Sequence, residues 1–218
     1  SSTRANTPSP WDLARPPDQV GGGDAGASLA PAAHLAFDNF VTEAKELLAE
    51  KPLHALVNNA GWSPKSPTQE RLGCLNGDLE AWRRVFELNF FAPLKLARGF
   101  AASLRKGNGS IVNITDTNLS KGVPNFSIYS AAKAGLEAIT KGLARELAPE
   151  IKVNAIAPGA MLEPPDVTWT EDQKNKVIES IPLNRMGSEQ DIAEAVKFLA
   201  HSEYITGQII KVDGGRSL

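Results

Sequence analysis

Three short apolar runs, LHALVN at 53–58, SIVNIT at 110–115 and IKVNAI at 151–156, recur between longer stretches whose apolar residues fall at helical spacing. This alternation constrains the fold more than any other feature. Runs of that length, apolar on both alternating sets of positions, predict strands of a parallel sheet covered by helices on both faces. Helices are expected near 34–50, 79–104, 128–148, 171–180 and 188–200, with a last strand near 208–212. Residues 1–33 differ in kind. Prolines (Pro8, Pro10, Pro16, Pro17, Pro31) and glycines (Gly21, Gly22, Gly23, Gly26) punctuate them, and Leu13, Val20 and Leu29 are their only branched apolar residues, so they read as irregular or disordered. The expected organisation is therefore an irregular segment at 1–33 and one α/β domain at 34–218. The 218 residues, 42% of them hydrophobic, suffice for one sizeable core.

Composition narrows the function classes. A formal net charge of -2, with no run of like charge, gives no broad attraction for nucleic acid or an anionic membrane. A small-molecule substrate is the better expectation. Cys74 is the single cysteine, so no internal disulfide forms, and with the scattered His34, His54 and His201 it makes no zinc set. No metal is expected. The sequence lacks an apolar run long enough for a membrane span, and its proline-rich start has no signal-peptide core, so the expected location is the cytoplasm.

In sheets of this kind ligands lie beyond the carboxyl ends of the strands. After the first run come Asn58, Asn59, Ala60 and Gly61, which admit a planar ligand close to the backbone, or simply form a turn. After the second comes Asp116, thirteen positions before Tyr129; Lys133 follows four residues later in YSAAK. Ile128, Leu136, Ile139, Leu143 and Leu147 place that pair on a helix, where positions four apart share a face. An ammonium beside a phenol favours the phenolate, which suits the pair to give and recover a proton; YxxxK alone is equally an unrelated surface pair. Pro93 in LNFFAPLKL cannot donate to the Asn89 carbonyl, which leaves either a tolerated bend or an acceptor for a relay water linked to Lys133. Ala157-Pro158-Gly159 forms a rigid turn after the third run, and MLEPPDVTWTEDQKNKV has the length and mixed character of a lid.

Taken in order, NNAG, Asn89, YSAAK, VNAIAPG and VDGG resemble the short-chain dehydrogenase/reductase family over about residues 34–218. The resemblance implies a Rossmann-type doubly wound parallel sheet, hydride transfer from NADPH, and a homo-oligomer, a tetramer on the family's pattern. It implies Tyr129 as proton donor, Lys133 on the cofactor ribose, and Asn89 in a proton relay. Asn59, Ala60 and Gly61 would lie beside the adenosine half of the cofactor, and Pro158, Gly159 and Met161 beside the nicotinamide. Most members carry serine where this chain has Asp116. The aspartate, with NITD, LARELAPEIKVNAIAPGA and VDGGRSL, looks like the pteridine reductase and dihydromonapterin reductase branch. The expected reaction is thus reduction of a dihydropterin, with Trp62 stacked on the pterin ring or merely packed. The alternatives are a short-chain reductase of another carbonyl substrate and an inactive member that serves as a binding or subunit protein.

One family element is absent. The loop TGxxxGxG, which follows a strand and opens a helix to receive the pyrophosphate, occurs nowhere in the sequence. Gly22 to Ser28 mimics its spacing, but no strand is predicted before it and Pro31 cuts short any helix after it. A sheet incomplete at its N-terminal side is expected.

Overall fold

The computed structural model describes residues 29–48, 51–63, 73–161 and 169–218. The chain falls into two compact units, residues 1–51 and 52–218. In the first lies helix α1, Leu29–Leu48. It opens five residues ahead of the expected boundary, because Pro31 stands in the first turn, where no intrahelical N–H is needed. The mimic at Gly22 to Ser28 lies outside the described residues, as does the centre of the expected lid, 162–168.

The second unit contains four strands, β1 (Ala55–Asn58), β2 (Ser110–Ile114), β3 (Lys152–Pro158) and β4 (Ile209–Val212), all parallel and in the order β1-β2-β3-β4. No strand precedes β1 among the described residues. Between the strands run α2 (Leu79–Phe86), a π-turn (Glu87–Phe91), α3 (Ala92–Lys106), a 3₁₀ turn (Thr117–Ser120), α4 (Ser127–Glu146), α5 (Glu171–Glu179) and α6 (Glu189–His201).

Strand β2 is buried at all five positions, and its side chains alternate between two helical layers. Val112 and Ile114 join Ile156 and Leu199 in an apolar cluster against Ile192, Ala195 and Val196 of α6. On the opposite face Asn113 donates to Thr140 of α4 at 2.9 Å and accepts from Asn58 of β1 at 2.8 Å. Asn154, fully buried in β3, donates to the Ile205 carbonyl and accepts from the Gln208 amide, which fixes the entry into β4. Among the described residues no helix is long and apolar enough to cross a membrane.

The long helix expected over 79–104 is present as three successive helical segments, 79–86, 87–91 and 92–106. Before Pro93, the second residue of α3, the backbone widens into the five-residue π-turn, and Ala92 donates to the Glu87 carbonyl five residues back. The ring of Pro93 thus stands at a helix start.

Candidate active site

The carboxyl ends of β1, β2 and β3 deliver Asn58, Ile114 and Pro158 to one side of the sheet. Just past Ile114 the chain turns, and Asp116 caps the 3₁₀ turn: its Oδ1 accepts from the Asn118 backbone at 2.7 Å and from the Asn118 side chain at 2.9 Å. Its Oδ2 is thereby aimed at Tyr129, whose hydroxyl donates to it at 3.4 Å. The Tyr129 ring packs edge-on against buried Phe126 at 5.1 Å between centroids, and Lys133 Nζ lies 6.0 Å from the centre of the same ring.

Lys133 is buried, and its ammonium donates to the Ile114 carbonyl at 2.7 Å. Burial lowers its pKa from 10.5 to about 8, against the opposing pull of Asp116, which favours the charged form. An acid, a phenol and an ammonium therefore converge from β2 and the first two turns of α4.

Asn89 comes to the same place from the π-turn. It is fully buried, and the structure records its role through the side chain, where the sequence drew attention to its carbonyl. Its Nδ2 donates to the carbonyls of Trp62 and Val85, at 2.7 and 2.9 Å, and its Oδ1 accepts from the Trp62 amide at 3.2 Å. This amide clasp holds the chain after NNAG. Gly61 has a reason to be glycine here, because a Cβ would stand 3.1 Å from Asn89 Oδ1 and 3.3 Å from Lys133 Nζ. The notch it leaves is a cradle bordered by Asn89 and Lys133. Asn59 and Ala60 are exposed between β1 and that notch.

The rim near β3 is held equally closely. Gly159 donates to the Val212 carbonyl, and a Cβ there would overlap Asp213. Asp213 accepts from the amides of Gly215 and Ser217, and Gly214 and Gly215 adopt positive φ, which gives VDGG a definite turn. The Thr117 hydroxyl donates to the Pro158 carbonyl at 3.0 Å, joining this rim to the Asp116 turn. The thioether end of Met161 packs against Gly187.

Three contacts had no signature in the sequence. The Arg84 guanidinium covers the Trp62 ring at 4.7 Å from its centroid. The Thr115 hydroxyl donates to Glu137 of α4, one turn beyond Lys133. Lys95 pairs with Glu87 across the π-turn at 2.5 Å. Each joins residues that share no motif, so only the fold reveals them. Among the described residues no group of three His, Cys, Asp or Glu side chains could hold a metal ion.

The family model described as enoyl-(acyl carrier protein) reductase matches residues 33–217. Protein FixR of Bradyrhizobium diazoefficiens is 42% identical over 193 residues, which cover 85% of this chain and 67% of FixR. Nodulation protein G of Rhizobium meliloti is 37% identical over 75% of this chain and 66% of its own length. The 3-oxoacyl-(acyl-carrier-protein) reductase FabG of Staphylococcus epidermidis is 36% identical over 79% of this chain and 72% of its own length. The chain thus spans about two thirds of the length of FixR and nodulation protein G. A solved structure, the apo form of a SCOR enzyme from Clostridium thermocellum, superposes with a TM-score of 0.71 at 33% identity, covering 84% of this chain and 69% of that one.

Proposed function

Because the chain belongs to the short-chain dehydrogenase/reductase family, we propose that it serves as a nicotinamide-dependent oxidoreductase that reduces a carbonyl group. The observation that carries this reading is the placement of Tyr129 between the Asp116 carboxylate, 3.4 Å from its hydroxyl, and the buried Lys133 ammonium. A carbonyl oxygen that gains charge needs a proton, and the Tyr129 hydroxyl is the group placed to give it. The phenolate left behind is favoured by the Lys133 ammonium. Asn89 fixes the Trp62 backbone next to the notch at Gly61, beside Lys133.

The residues present fit the ribose and nicotinamide half of the cofactor. The notch at Gly61 is a space that any side chain would fill and Lys133 Nζ borders it, while Pro158, Gly159 and Met161 stand at the carboxyl end of β3, tied to the Asp116 turn through Thr117. Lys133 and Tyr129 would hold the ribose, with Asn59, Ala60 and Gly61 toward the adenosine side. When bound, the nicotinamide supplies the hydride. NADPH, rather than NADH, and assembly as a homo-oligomer are carried by the family resemblance.

For the substrate, the relatives' names favour the carbonyl alternative over the pterin expected from Asp116. FabG is a 3-oxoacyl reductase, and the matching family model is likewise one of acyl-carrier chemistry. We therefore assign a 3-oxoacyl type of substrate first. Reduction of a dihydropterin is the second reading, and a single feature favours it. Asp116 Oδ2, left to Tyr129 by the Asn118 contacts on Oδ1, is an acceptor where a serine would offer a hydroxyl donor. A ring N–H suits that acceptor better than a carbonyl oxygen does.

The test is NADPH consumption by the protein with 3-oxoacyl thioesters and simple ketones, set beside dihydrobiopterin and dihydromonapterin, in the native chain and in Asp116→Ser. Faster turnover of the oxo compounds, retained in Asp116→Ser, is expected. Faster turnover of a pterin, abolished by Asp116→Ser, selects the second reading. NADPH left unconsumed with every compound refutes both.

A further inference from the structure

A π-turn is an uncommon and weakly bonded piece of helix, so something must hold the one at Glu87–Phe91 open. Asn89, its middle residue, makes three hydrogen bonds that depend on this backbone path, two of them to Trp62. Glu87 opens the turn, and Lys95 is the fourth residue of α3. Their side chains meet at 2.5 Å with only 17% and 26% of their surface exposed.

The register explains why these two meet. In a regular α-helix, positions eight apart stand about 80° off a common face, whereas positions seven apart are within about 20° of it. A π-turn adds one residue to the helix without adding a turn, so residues eight apart across it align like residues seven apart elsewhere. Lys95 leans back toward the helix N-terminus, as helical side chains do, and so reaches Glu87. The contact exists in the π register and is lost in the α register. Glu87 thereby holds the turn twice, by its carbonyl, which accepts from Ala92, and by its carboxylate.

We infer that Glu87 and Lys95 are positioning residues: a half-buried ion-pair clamp that keeps the π-turn in register and so aims the Asn89 side chain at Trp62, beside Lys133. Pro93 accounts for the break in α-helical bonding but not for its register; releasing the clamp lets the turn shift its register, and a one-residue shift rotates Asn89 by about 100° relative to the helix beyond the turn and breaks the clasp. The consequence for turnover rests on the role given above to the Asn89 and Lys133 notch. The clamp itself depends only on the register of the π-turn.

Amide hydrogen exchange followed by NMR in E87Q and K95Q tests it without cofactor or substrate. The reporters are the Trp62 backbone amide and the Asn89 side-chain amide. The Gln208 amide, which donates to Asn154 across the sheet, is the control. Exchange at Trp62 and Asn89 is expected to quicken on the order of tenfold in either variant while Gln208 holds, and the exchanged pair E87K with K95E is expected to restore protection. Should E87Q fail to fold, K95Q alone carries the test. Unchanged protection at Trp62 and Asn89 overturns the clamp. So does an equal loss at Gln208, which means general loosening. Neither outcome touches the proposed activity, which NADPH consumption tests separately.

Discussion

At Lys133 two effects oppose each other, and burial wins: the ammonium is held near a pKa of about 8, although Asp116 favours its charge. Two pH dependences follow. The charged lysine supports the Tyr129 phenolate, so turnover should fall as pH rises through about 8. Asp116→Asn removes the pull that raises this pKa, so the falling limb should move to lower pH; a limb that stays in place contradicts the assignment. For stability, the folded value lies below the unfolded 10.5, so the unfolded chain binds more protons between the two. The contribution from Lys133 is therefore full above about 10.5 and is lost as pH falls through about 8. Denaturant midpoints measured across that window should rise with pH in the native chain, and Lys133→Met should lack this part of the rise. At this scale Asp116, Tyr129 and Lys133 were legible in the sequence, because a strand end and a helical spacing of four bring them together. Arg84 on Trp62 was not, because nothing in local periodicity links a loop residue to the second turn of α2.

Elements were legible where apolar periodicity alone determines them. All four expected strands begin and end within two residues of β1, β2, β3 and β4, since a buried strand of a parallel sheet is apolar at both alternating positions. The helix over 79–104 was legible in its extent but not in its interior. A proline marks a break in the α-helical bonding, but the sequence does not say whether the backbone kinks, ends or widens, and here it widens. Polar bonding inside the layers was equally hidden. Asn58, Asn113 and Thr140 form a chain from β1 through β2 to α4, and Thr140 passes its own hydroxyl to the Leu136 carbonyl. Asn113→Leu would strand buried partners on both sides, and a loss of about 2–4 kcal/mol in unfolding free energy is expected from denaturant titration. Helix α6 begins with a capping box in which Ser188 and Asp191 satisfy each other's backbone amides. Ser188→Ala should lower stability by about 1 kcal/mol in the same titration, a loss smaller than at Asn113 because the cap is partly exposed.

For the second unit as a whole, the sheet is a platform whose helices bring chemistry to one end. The turn after β2 carries Asp116, α4 carries Tyr129 and Lys133, and the π-turn before α3 carries Asn89. Fold class could be read from strand and helix alternation before any motif was considered, because a parallel sheet requires both. Substrate class could not, because it depends on groups aimed across the pocket rather than on the motifs that build it. The function we propose has this arrangement deliver a proton from Tyr129 during NADPH-dependent reduction of a carbonyl. Its most direct test is NADPH consumption with a 3-oxoacyl thioester, comparing the native chain with Tyr129→Phe. Consumption matched by hydroxyacyl product is expected in the native chain, and a rate lower by on the order of 10²–10⁴ in the variant. No consumption by the native chain, or an equal rate in Tyr129→Phe, would contradict it.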